Sequence, residues 1–90
     1  LKFNIKEWQG RDNYRLCDVA ALWNELPPQR PDDRLGMIDY KMASLKFYIR
    51  SKDLECDTPY DEVKPETTLT ADALRKYVEK HGKEMPKFLK

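Results

Sequence analysis

"DYKMASLKFYIRSKDL", residues 39–54, is the stretch on which the reading of this chain turns. It has the form of a helix entering a short polar turn, and that helix has two apolar sides. Leu35, Ile38, Met42, Leu45 and Ile49 recur at spacings of three and four, one stripe of an α-helix. At about 100° per residue, Met37, Tyr40, Phe47 and Tyr48 fall roughly opposite, among Gly36, Ala43 and Ser44. A helix apolar nearly all round is either central in its domain or leaves one side for a partner, a second copy of the chain, or bases.

Charge fills the seams between the two sides. Arg34, Lys41 and Lys52 lie along one flank, and Lys46 with Arg50 along the other, beside Asp39. Residues 34–52 hold five basic side chains against one acidic, a local net of +4. Residues 53–66 hold six acidic against one basic, net −5, and residues 75–90 six basic against two acidic, net +4. The total of +1 therefore hides segregated charge, with two basic segments able to meet phosphates and an acidic one that repels them. The alternative is a set of ordinary solvated faces with local ion pairs.

Outward from this stretch the chain reads as mainly α with a small β component, in one domain of 90 residues. "FNIKEW" (3–8) alternates apolar and polar and suits an N-terminal strand or arm within residues 1–13, and "GRDN" (10–13) reads as a turn. In "YRLCDVAALWNELPP" (14–28), Leu16, Val19, Ala20 and Trp23 predict a first helix over about 16–25, stopped by Pro27 and Pro28. Pro31, Asp32 and Asp33 suit a helix start, so the second helix is expected over about 32–51 and closes a helical core of 14–52.

The acidic segment 53–69 is expected as a wing-like hairpin or a loop. Thr70 is the expected N-cap of a third helix, with Leu69 and Leu74 as a hydrophobic staple and Gly82 as its stop. Met85, Phe88 and Leu89 in the tail "KEMPKFLK" are placed to fold back on the core, so that residues 70–90 form a closing helix and tail.

The residues offer little for catalysis, and the expected class is non-enzymatic. His81 is the only histidine, and its place late in the third helix suits the last carbonyls better than general-base work. Cys17 and Cys56 are far apart, without a Cys-x-x-Cys pair, which leaves too few zinc ligands; they read as two small free thiols, with a disulfide as the alternative. Asp57, Asp61, Glu62 and Glu66 lack the glycine and spacing of a calcium loop. No cofactor and no metal are expected. No run approaches the ~20 apolar residues of a membrane span, so no membrane partner is expected, and a cytoplasmic location is, conditional on Leu1 not being the product of cleavage.

"YRLCDVAALW" resembles the opening helix of the winged-helix domains of phage excisionases and MerR-type regulators. "LKFYIRSKDL" (45–54) resembles their second helix and the turn into the wing, and "TTLTADALRKYVEKHG" (67–82) the return strand and closing helix. The "AALW" segment and the C-terminal "PKFL" are also similar to short proteins of prophages and integrative elements. The resemblance implies a three-helix, winged-helix-like domain and a DNA-associated regulatory module of mobile-element type. Under it the second helix enters the major groove, and Lys41, Lys46, Arg50 and Lys52 contact phosphates or base edges of duplex DNA. The competing expectation is a protein-binding module, such as a phage-derived inhibitor or adaptor, or a homodimer. That module would use Tyr40, Phe47 and Tyr48 as anchors, or the acidic segment against a basic partner.

Overall fold

The computed structural model describes residues 4–28 and 36–90, as three α-helices and a two-stranded antiparallel sheet. The strands are β1 (Asn13–Arg15) and β2 (Thr68–Thr70), and the helices are α1 (Leu16–Trp23), α2 (Met37–Arg50) and α3 (Ala71–Lys80). Each strand leads directly into a helix, and because the strands are antiparallel α1 and α3 leave the sheet from opposite ends.

The register places Tyr14 opposite Leu69, both buried, while Asn13, Arg15, Thr68 and Thr70 point to solvent. This two-residue alternation fixes which way each helix leaves the sheet. The sheet also serves the helix starts, whose first N–H groups lack intrahelical acceptors. Leu16 N–H donates to the Thr67 carbonyl at 2.8 Å and Cys17 N–H to that of Pro65 at 2.9 Å, while Ala71 N–H donates to Asp12 at 2.8 Å. Arg15 therefore precedes α1 without capping it through its side chain. Instead it makes a two-pronged ion pair with Asp18, at 2.8 and 3.0 Å, and Asp18 is buried in the first turn, where the helix dipole favours its charge.

α1 is buried on almost every side through Leu16, Val19, Ala20, Ala21 and Leu22. α2 lays Ile38, Leu45 and Ile49 against it, and α3 adds Leu74, Tyr77 and Val78. The aliphatic stripe expected of the second helix is thus its inner side; Leu35 of that stripe lies outside the described residues. Thr70 caps α3 by accepting from Ala73 N–H at 3.1 Å, and Leu69 and Leu74 are both fully buried beneath it. The tail closes the core, with Phe88 edge-on to Tyr14 at 5.2 Å and to Trp23 at 5.9 Å.

All three helices end in the same hydrogen-bonded motif, in which the two residues beyond the cap bond back across the last turn. In α3 Gly82 donates to Glu79 and Lys83 to Val78; in α2 Lys52 donates to Ile49 and Asp53 to Tyr48; in α1 Glu25 donates to Leu22 and Leu26 to Ala21. The motif needs a left-handed residue, and Gly82 (φ 62) supplies one without strain. Lys52 (φ 66) and Glu25 (φ 58) adopt the same conformation although they carry a Cβ.

Two expectations require correction. Residues Ile5–Trp8 form a 3-10 turn rather than a strand, with Asn4 accepting from Lys6 N–H and Trp8 buried; Phe3 lies outside the described residues. The second helix does not run continuously from residue 32, because Gly36 takes φ 67, which a right-handed helix cannot pass through; Pro31, Asp32 and Asp33 lie outside the described residues. Of the two forms expected for the segment after α2, the loop is the one found. It is a loop with a 3-10 turn at Tyr60–Glu62, pinned by buried Leu54 and Val63, and its only strand pairs with β1. Pro59 and Pro65 each lack the N–H that a ladder needs.

Candidate binding surface

With Ile38, Leu45 and Ile49 facing inward, the opposite side of α2 is turned to solvent. Tyr40 is 79% exposed, Phe47 61% and Met37 44%, and all three lie on that outer side. Helical geometry explains the grouping, since positions 37, 40, 44 and 47 stack along one face. Phe47 stands edge-on to Tyr48 at 5.4 Å. Tyr48 itself turns inward, 4.9 Å from Tyr77 and 4.9 Å from His81, so of the three aromatic residues expected as anchors only Tyr40 and Phe47 are presented.

The four basic residues expected to meet DNA do not share one face. Lys46 and Arg50 are one turn apart and converge on Tyr60, at 5.8 and 5.6 Å from its ring centre. That brings an aromatic residue from the acidic loop, 38% exposed, to the edge of the α2 surface. Lys52 is exposed in the turn that ends α2. Lys41 lies roughly 140° around the helix from Lys46. Its ammonium is half-buried over Trp23, 4.2 Å from the ring centre. Burial there, helped by the charge of Lys83, lowers its pKa to about 8.

A second cluster, which the one-dimensional reading did not assemble, lies where α2 meets the end of α3. His81 stacks near Tyr48 and Tyr77 and brings Nε2 to 3.5 Å from Asp53. It therefore faces a carboxylate rather than serving the last carbonyls of its helix. Lys80 holds Asp53 at 2.6 Å, and this contact keeps the Asp53 carboxyl below its usual pKa. Lys83 sits 5.3 Å from the Tyr77 ring centre and 5.4 Å from that of Tyr48. No short-range sequence pattern could have joined Trp23, Lys41, Tyr77 and Lys83, because three separate segments supply them.

Cys17 and Cys56 are free thiols, and burial raises the pKa of Cys17. Among the described residues no group of three or more His, Cys, Asp or Glu side chains is arranged to hold a metal ion. No described helix is long and apolar enough to cross a membrane.

Fold and surface together define a small domain of three helices and a two-stranded sheet, whose middle helix turns aromatic side chains outward between basic edges. No protein-family model matches the chain, and neither the curated proteins nor the solved structures contain a significant match to it.

Proposed function

We propose that this domain is a non-enzymatic module that associates with DNA through the outer side of α2. The observation that carries the reading is the coincidence of two exposed aromatic rings on that side, Tyr40 and Phe47, with the cations of Lys46 and Arg50 along its flank and, at the turn, Lys52. Phosphates are neutralised by such cations, and bases stack on such rings. Rings that project this far suit unpaired bases better than the floor of a duplex groove, where hydrogen-bonding side chains read base edges. The resemblance to winged-helix domains of mobile elements supports a regulatory role.

Fluorescence anisotropy with a labelled duplex and a labelled single strand, at about 50 and about 200 mM salt, tests this directly. The expected result is binding that weakens steeply with salt, favours the single strand, and is lost on combining Lys46→Glu with Arg50→Glu. Binding left unchanged by that pair would remove α2 from the interface.

One observation favours a second reading, a protein-binding or homodimerising module. Met37, Tyr40 and Phe47 are exposed apolar side chains on one face of α2, and exposed aromatic side chains are frequent interface anchors. Sedimentation that gives a dimer abolished by Tyr40→Ala, together with no DNA binding at low salt, would favour it over the first.

A further inference from the structure

A cleft of about 510 Å³ opens between the end of α2 and the loop that follows it, a size within the ~300–1,000 Å³ of small-ligand sites. The exposed side chains that line it are two cations, Arg50 and Lys52, two carboxylates, Glu55 and Asp57, and the Tyr60 phenol. Buried Ile49 and Leu54 add apolar surface. The loop side of the cleft is anchored to the helix. Asp53 N–H and Leu54 N–H both donate to the Tyr48 carbonyl, at 2.9 and 3.1 Å, and the Tyr60–Glu62 turn runs into buried Val63.

Opposite charges line this cleft without meeting. Among the described residues no carboxylate pairs with Arg50 or Lys52, and no cation pairs with Glu55 or Asp57. Arg50 instead sets its guanidinium 5.6 Å from the centre of the Tyr60 ring, an attraction that positions the cation without neutralising it. Two donor groups, two acceptor groups and an apolar surface thus border one space. A ligand that matches all three carries an anion, a hydrogen-bond donor and a flat apolar face in one small unit.

We propose that this cleft takes one nucleotide of a bound single DNA strand and prefers cytosine to thymine there. The phosphate meets Arg50 and Lys52, the base lies against the apolar surface that includes Tyr60, and its amino group donates to Glu55 or Asp57. Cytosine presents an N–H donor at ring position 4, where thymine presents a carbonyl oxygen. A carboxylate accepts from the first and opposes the second, lone pair to lone pair. The inference rests on the reading of α2 as a strand-binding surface and adds base selectivity to it. It also gives the acidic loop a part in recognition, since carboxylates that weaken phosphate binding overall still discriminate between bases.

The test is fluorescence anisotropy of the whole chain with a labelled oligodeoxycytidylate and a labelled oligothymidylate of the same short length, at one low salt concentration and neutral pH. The expected result is cytidylate bound about tenfold more tightly than thymidylate. Combining Glu55→Ala with Asp57→Ala should bring the two affinities together. The readout is their ratio, because removing two negative charges strengthens the binding of any strand. Both side chains are exposed, so the variant should keep its fold, which circular dichroism checks. Thymidylate bound as tightly as cytidylate or more so, or a preference that the double variant retains, overturns the inference and leaves the reading of α2 standing. Binding of neither strand overturns both.

Discussion

Lys41 places its ammonium 4.2 Å from the centre of the Trp23 ring, half-buried between α1 and α2. Attraction to the indole face offsets part of the lost hydration, and the pKa still falls from 10.5 to about 8. Between those two values the unfolded chain holds a proton at Lys41 that the folded chain has released. Folding stability attributable to this residue therefore rises as pH increases from about 8 to 10.5. Lys41→Met removes the charge and keeps the stem. Near pH 7 it should be more stable than the parent by on the order of 1 kcal/mol, after allowing for solvent screening at a half-exposed site. Urea unfolding of both proteins across this range should show that advantage vanish by the upper limit.

Lys52 ends α2 in a left-handed conformation that glycine adopts more readily. Lys52→Gly should stabilise the domain by about 0.5–1 kcal/mol, the relief of Cβ crowding exceeding the added freedom of the unfolded chain. Glu25→Gly should gain less, because Glu25 also pairs with Lys87 at 2.8 Å. Urea midpoints with unchanged slopes would establish both effects.

Phe88 is fully buried between Tyr14 and Trp23, so the tail is part of the core. Phe88→Ala should cost about 3–5 kcal/mol, a large share of the stability of so small a domain. Thermal unfolding monitored by circular dichroism would reveal it, and a loss below about 1 kcal/mol would mean that the tail is not docked as described.

Tyr40 and Phe47 project into solvent, so replacing either with alanine should alter stability by no more than about 0.5 kcal/mol. If bases stack on them, each replacement should weaken single-strand binding by about 1–3 kcal/mol. Anisotropy titrations set beside unfolding curves separate these effects. Equal affinity in both variants would rule out stacking on these rings.

The helical skeleton was readable in one dimension. The 3- and 4-residue spacing of Ile38, Met42, Leu45 and Ile49 identified the inner side of α2, because a helix turns through nearly the same angle at every residue. Thr70, Leu69, Leu74 and Gly82 marked the ends of α3 for similarly local reasons: a hydroxyl next to free N–H groups, an apolar pair at fixed separation, and a residue tolerant of positive φ. The apolar pattern of residues 3–8 misled, since a short alternating run does not distinguish a strand from a 3-10 turn that buries one indole.

Local sequence by itself determined where the helices form and which side of each is apolar, because those properties depend on neighbours within a turn or two. Only the tertiary structure decided which residues of the second apolar side of α2 remain outside. Tyr48 was drawn inward by Tyr77 and His81, whereas Tyr40 and Phe47 meet no covering element among the described residues. It likewise parted Lys41 from Lys46 and Arg50, setting Lys41 over the Trp23 ring and Lys83 over that of Tyr77. Such groupings depend on how β1 and β2 pair and how the tail docks. These contacts join residues more than fifty positions apart, and no local periodicity records them.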